Sequence, residues 1–221
     1  MEEKRNFDLL TLGQVLLRLS PPNNDRLVRG DTFVKQVGGA ELNVAVGVAL
    51  LGLRTGVISK LPSHDMGSFM KGKIRSYGVS DDFFMYDDSP SARVGIYYYE
   101  NGAYPRKPKV IYDRANSSFY FLKIDEIPEK AYTASRCFHT SGITLALSPK
   151  VRETAIEMIK RFKAQGAIIS FDVNFRGNLW TGAEAKECIE SILPYVDIFF
   201  CSEDTARLTF LKEGDAKSIM K

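Results

Sequence analysis

A glycine pair that opens directly into small and β-branched apolar residues constrains this chain more than any other stretch. It runs Val37-Gly38-Gly39-Ala40-Glu41-Leu42-Asn43-Val44-Ala45-Val46-Gly47-Val48-Ala49-Leu50-Leu51. Glycine reaches φ > 0 and lets a ligand approach bare backbone. The first-turn amides of the buried helix that follows point back at such a ligand, with Glu41 and Asn43 as the polar side chains beside it. The stretch reads as a ligand floor. Taken alone, it reads equally well as a Gly-Gly turn before an ordinary core helix.

The segments around it alternate. Phe7 to Leu12 reads as a first buried strand, Gly13-Gln14 breaks it, and Val15 to Leu19 resumes the apolar pattern before the Ser20-Pro21-Pro22-Asn23-Asn24 loop. Thr32 to Val37 is a short strand, and the helix from Ala40 to Leu51 ends at Gly52. Thr55 to Leu61 is a strand, and Ser63 is expected to cap a helix from His64 to Tyr77 that carries Lys71, Lys73 and Arg75 toward its negative end. Phe83 to Tyr86, Arg93 to Glu100 and Lys109 to Arg114 then follow one another with turns and no helix between them, so they are expected to pair antiparallel as a β-meander. The tyrosines of Val94-Gly95-Ile96-Tyr97-Tyr98-Tyr99 suit a sheet with one wet face. After Pro128 the pattern returns to strand and helix: Arg136 to Thr140, a helix capped by Ser148-Pro149, Ala167 to Val173, a helix from Ala183 to Leu193, Val196 to Cys201, and a last helix capped by Ser202. That order predicts an α/β fold with a parallel sheet.

Composition bounds the function classes. The 221 residues are 44% hydrophobic and 26% charged, enough for a substantial core in one or two domains. Thirty basic against 27 acidic residues, interspersed, argue against nucleic acid or a membrane surface as partner. The charged start Met1-Glu2-Glu3-Lys4-Arg5-Asn6 and the early interruption at Gly13, Gln14 and Arg18 fit neither a signal peptide nor a membrane span, so a cytoplasmic protein is expected. Cys137, Cys188 and Cys201 are odd in number and lack paired ligand spacing, which makes each a small core residue rather than half of a disulfide or a zinc ligand.

Ligands of open parallel sheets bind beyond the carboxyl ends of the strands. That rule gathers Ser141-Gly142, Asp172-Val173-Asn174-Phe175-Arg176 and Ser202-Glu203-Asp204 at one edge. A guanidinium such as Arg176, just past a buried strand, grips a carboxylate or phosphate in bidentate fashion, or makes a surface ion pair. Tyr97, Tyr112 and Arg114 lie where the meander folds over a ligand, or on an ordinary half-exposed face. His64 and His139, the only histidines, sit near a helix start and inside an apolar strand, positions that argue against catalysis. Neither a Walker-type phosphate loop nor a strand-linked GxGxxG occurs.

Together, Val37 to Ala45, Phe138-His139-Thr140-Ser141-Gly142-Ile143-Thr144-Leu145-Ala146-Leu147-Ser148, and Asp172 to Arg176 followed by Leu179-Trp180 resemble the ribokinase-like (PfkB) carbohydrate kinases, most of all the 2-keto-3-deoxygluconate kinases. The resemblance covers nearly the whole chain. It implies a three-layer α/β core with a parallel-rich sheet and a small β-sheet lid, the lid from strands within about 15–37 and 83–115 and residues 1–221 forming an incomplete kinase domain. It also implies transfer of the γ-phosphoryl of ATP, with Mg2+, to the primary hydroxyl of a small-molecule sugar acid. Gly38, Gly39 and Asn43 would contact sugar hydroxyls, Tyr97, Tyr112 and Asn174 would complete the pocket, and Arg114 with Arg176 would hold the carboxylate. Lid strands around Tyr97 to Tyr99 would pair between subunits in a homo-oligomer.

Two departures qualify the resemblance. The family's catalytic aspartate belongs to a Gly-Ala-Gly-Asp motif that occurs nowhere in 1–221, Lys212-Glu213-Gly214-Asp215 lacking its glycine pattern, so no catalytic residue is assigned. The family's Asn-x-x-Glu motif falls on Ser202-Glu203-Asp204-Thr205, which differs at both ends and leaves Ser202, Glu203 and Asp204 as weak cofactor-side candidates. Loss of a positioned base removes about 10²–10⁴-fold of rate, so this polypeptide alone is expected to be inactive, with an uncovered sheet edge that favours association. The rival readings are a fructokinase or another kinase of the same fold, and a non-catalytic sugar-acid-binding module.

Overall fold

The computed structural model describes residues 5–219, so Met1 to Lys4 of the charged start, together with Met220 and Lys221, lie outside the described residues. Nineteen elements follow in chain order: β1 Phe7–Leu12, β2 Leu16–Ser20, β3 Val34–Gly38, α1 Ala40–Leu50, β4 Thr55–Pro62, α2 Asp65–Ser76, β5 Val79–Ser80, β6 Phe84–Asp87, β7 Gly95–Glu100, β8 Lys109–Asp113, α3 Lys130–Thr133, β9 Ser135–Ser141, α4 Gly142–Ala146, α5 Pro149–Ala164, β10 Ile168–Asp172, α6 Gly182–Ile192, β11 Ile198–Phe200, α7 Glu203–Phe210 and α8 Ala216–Ile219. β1, β4, β5, β6, β9, β10 and β11 form one parallel sheet in the order β11-β10-β9-β1-β4-β5, with β6 also on β4. Strands buried on both faces must be apolar throughout, and Leu10, Leu12, Ile58, Phe138, Ile169 and Phe171 are fully inaccessible. The Phe138 ring stacks on Phe162 of α5 at 4.2 Å, which joins the sheet to its largest helix.

β2, β3, β7 and β8 form the separate small sheet in the order β3-β2-β7-β8. It is not a meander. Its central pair, β2 and β7, is parallel, because the chain leaves the small sheet after β3, lays down α1 through β6 in the core, and returns. The expected lid strand over Phe83 to Tyr86 is corrected by the same observation: β6 pairs in parallel with Ser59 to Pro62 of β4 and belongs to the core sheet. The eight-residue β4 is long enough to hold β5 at its start and β6 at its end. The Asp87-Asp88-Ser89-Pro90 turn therefore marks a passage between sheets, where composition alone suggests a hairpin. The cap of α2 also differs from expectation, since His64 and not Ser63 accepts the Met66 amide, through Nδ1 at 3.2 Å.

Alternation along the small sheet gives it two working faces. Leu17, Leu19, Val37 and Ile96 pack with Leu42, Met70 and Ile74 in a second apolar cluster over α1 and α2. Leu16, Arg18, Tyr97, Tyr99 and Tyr112 face the carboxyl ends of β1, β9 and β10 across a cleft. The small sheet thus stands as a lid. The other end of the core sheet, β11, presents Ile198, Phe199 and Phe200 to solvent. No described helix is long and apolar enough to cross a membrane.

Candidate active site

The glycine pair turns directly into α1, as the sequence predicts. Gly39 takes the N-cap position of α1 at φ 154°, ψ 144°, and a Cβ there would stand 2.7 Å from the main-chain oxygen of Gln14. Gly38, one residue earlier, is pressed against the Tyr97 hydroxyl, 2.5 Å from where its Cβ would be. A side chain at Gly39 would force the backbone of the turn away from Gln14, and one at Gly38 would displace the Tyr97 hydroxyl from its place in the small sheet.

Between lid and core lies a cavity of about 550 Å³. Gly39, Asn43, Tyr97, Tyr112, Arg114, Asn174 and Arg176 all line it, with Gly38 just behind the floor. Tyr97 and Tyr112 are register partners on β7 and β8, and their rings lie 5.9 Å apart. Asn174 holds a left-handed conformation, φ 37°, in a turn fixed by its own amide donating to Asp172 Oδ1 at 3.0 Å. Such strain in a non-glycine residue persists only where the surroundings fix it, and here it turns the chain leaving β10 into the cleft.

The electrostatics favour an anion. Burial pulls the Arg114 guanidinium below its ordinary range, the nearby Glu41 carboxyl supports its charge, and the neighbouring Arg176 opposes it again. Arginine nevertheless stays cationic in proteins, so three guanidinium groups of like charge, those of Arg18, Arg114 and Arg176, share one cleft. Burial pushes the Tyr97 phenol up, which keeps it a hydroxyl donor at neutral pH.

Among the lining residues that the sequence reading did not assign to the site, Gln14, Arg18 and Glu41 bring hydrogen-bonding or charged groups to the cavity. Glu41, read from sequence only as a neighbour of the floor, is 1% exposed. It accepts from Ser141 Oγ at 2.5 Å and Thr144 Oγ1 at 2.8 Å, while burial pushes its carboxyl up. Arg18 lies over the Tyr99 ring at 4.2 Å and donates through Nε to Ser20 Oγ at 2.9 Å. The signal for Gln14 is the strand-end rule itself, applied to β1 as well as to β9, β10 and β11. For Arg18 it is a charge on the wet-face alternation of an otherwise apolar strand.

Ser202, Glu203 and Asp204 are absent from this cleft. Ser202 caps α7 through the Thr205 amide at 3.2 Å, Glu203 accepts from the Ala216 amide at 3.0 Å, and Asp204 pairs with Arg207 at 2.6 Å. All three are occupied in stabilising α7 and its surroundings. Among the described residues no group of three or more His, Cys, Asp or Glu gathers to hold a metal ion. His139 is buried in β9, away from the lining of this cavity, with Nδ1 2.9 Å from Ser170 Oγ.

Comparison with known proteins agrees with this architecture. Residues 6–221 match the family described as pfkB family carbohydrate kinase. The chain is 36% identical over 212 residues to a 2-dehydro-3-deoxygalactonokinase of Haloferax volcanii, covering 96% of this chain and 66% of that one. It is 30% identical over 191 residues to a 5-dehydro-2-deoxygluconokinase of Listeria monocytogenes, covering 86% and 58%. The crystal structure of 2-dehydro-3-deoxygluconokinase from Thermotoga maritima superposes with a TM-score of 0.90 at 34% identity, over 96% of this chain and 66% of that one. The chain thus spans a little under two thirds of these relatives, and its fold is ribokinase-like.

Proposed function

The chain belongs to the pfkB family of carbohydrate kinases, and from that premise we propose that its cleft binds 2-keto-3-deoxygluconate, whose primary hydroxyl receives the γ-phosphoryl group of ATP in the whole kinase. The observation that carries this reading is the placement of Arg114 and Arg176 on one cavity, where the charge of Arg176 works against that of Arg114. A carboxylate relieves that opposition by accepting from both planar forks. Arg114 and Arg176 each hold one neutral acceptor, Gln14 and the Phe175 carbonyl, so a neutral sugar leaves their remaining donors and both charges without a counter-charge, which is how a charged site rejects it. In the same reading, the Gly39 turn and Asn43 meet sugar hydroxyls from the floor, Asn174 from the end of β10, and Tyr97 and Tyr112 from the lid. Enclosure by the lid excludes water and strengthens each polar contact.

The names of the related Haloferax and Thermotoga kinases support a keto-deoxy acid and make the galactonate epimer the first competitor. Fructose, the substrate of the rival kinase reading, is disfavoured by the two arginines. The Gly-Ala-Gly-Asp motif that carries the catalytic aspartate of this family does not occur in 1–221. Calorimetric titration with 2-keto-3-deoxygluconate and fructose in parallel tests the reading, with Arg176→Ala as control. Heat from the acid alone, abolished in the variant, is expected. Binding of fructose as tight as the acid would overturn the assignment.

A further inference from the structure

We infer that Gln14 is the positioning residue that aims Arg114 at the ligand's carboxylate and ties the lid to the floor, an inference that rests on the acid-binding reading above. Gln14 lies in the break between β1 and β2 and is 3% exposed. Its Oε1 accepts from Arg114 Nε at 2.8 Å, and its Nε2 donates to the Arg114 main-chain oxygen at 3.2 Å and to Ser117 Oγ at 2.6 Å. One carboxamide therefore holds both the backbone and the side chain of Arg114. The polarity of the amide is fixed by these partners, because a flipped amide would set NH₂ against an N–H donor and oxygen against a carbonyl. Among the described residues the Arg114 guanidinium donates to Gln14 through Nε, which leaves its two Nη groups to form a fork toward the cleft.

The four passages of the chain between core and lid meet at this residue. The first is Gln14 itself, whose main-chain oxygen bears on Gly39, in the second. Its Nε2 would stand 2.8 Å from a Cβ at Gly95, where β7 begins, and the fourth passage carries Arg114 and Ser117. A neutral amide suits the task better than a carboxylate. Glutamate could accept from Arg114 Nε, but it would face the Arg114 carbonyl with a second acceptor and neutralise a charge that the ligand needs.

The test is a double-mutant cycle read by calorimetric titration of the 221-residue chain with 2-keto-3-deoxygluconate. Gln14→Leu is expected to weaken binding about 10-fold or more beside Arg114, the scale of a hydrogen bond to a charged group. In the Arg114→Lys background, where no Nε exists to be held, the same change is expected to weaken binding by no more than about 2-fold. Equal loss in both backgrounds, or no loss in either, would overturn the inference. Gln14→Glu covers the case in which the leucine variant does not fold: about a 10-fold weaker affinity with a retained cooperative melt is expected, and wild-type affinity would refute it. A third readout needs no ligand. The Arg114 Nε–H resonance in wild-type protein is expected to exchange slowly and to lose that protection in either Gln14 variant. Wild-type protein that protects Nε–H yet binds no acid overturns the acid-binding reading and the role assigned here with it. An unprotected Nε–H in protein that does bind the acid overturns the role of Gln14 alone.

Discussion

Replacing Gly39 with alanine adds one methyl group where the lid meets the floor, and the structure determines what that methyl meets. The new Cβ would lie 2.7 Å from the Gln14 main-chain oxygen and 3.5 Å from Leu42 Cβ. The first contact is with backbone and cannot be relieved by turning a side chain, so the turn or the Gln14 segment must move by several tenths of an ångström. At φ 154° the alanine also takes a conformation that costs about 1–3 kcal/mol in a residue with a side chain. Strain and displacement together give an expected loss of about 2–4 kcal/mol. Gly47→Ala, in the interior of the same helix with nothing within 4 Å of its Cβ, is expected to gain about 0.5–1 kcal/mol. Urea unfolding at constant slope measures both. Gly39→Ala within about 0.5 kcal/mol of wild type, or a loss at Gly47 equal to that at Gly39, would refute the close-approach argument.

Two further predictions concern protons. Burial pushes His139 down to about 4, so the unfolded chain binds the extra proton first and stability falls as pH drops below about 6.5. The expected loss between pH 7 and pH 5 is about 2 kcal/mol, absent in His139→Asn; parallel pH profiles for the two proteins would contradict it. Glu41 has the opposite sign: burial raises its carboxyl, so the folded state favours the protonated form and loses stability as pH rises above the ordinary carboxylate range. Glu41→Gln is therefore expected to gain on wild type between pH 4.5 and 7.5 in denaturant melts, and a pH-independent difference between the two proteins would show that the carboxyl ionises freely.

The parts of the fold legible in the sequence are those governed by local chemistry. Gly39 before an apolar helix, Ser148-Pro149 opening α5 and the continuous apolar run into Asp172 each announce their element, because cap, first-turn proline and double burial leave direct traces. Strand partnership leaves weaker traces. Phe84 to Asp87 looks like the first strand of a hairpin series, yet its pairing with β4 is set by the length of β4 and by burial of Phe83 and Phe84 against the core. Site residues divide the same way. Arg176 and Asn174 follow a buried strand at the predicted edge, whereas Gln14 and Glu41 act through contacts with residues about a hundred positions away, Arg114 and Ser141, which no local window contains. Ser202 to Asp204 satisfy the strand-end rule and also form the cap and first turn of α7, so the rule by itself does not separate capping from ligand binding.

The most direct test of the central claim is a crystal structure of the chain with 2-keto-3-deoxygluconate bound. The account predicts the carboxylate between the Arg114 and Arg176 guanidinium groups, hydroxyls against the Gly39 turn and Asn43, and the lid tyrosines Tyr97 and Tyr112 over the carbon chain. A ligand carboxylate held elsewhere in the cleft, with the two arginines facing solvent, would contradict it.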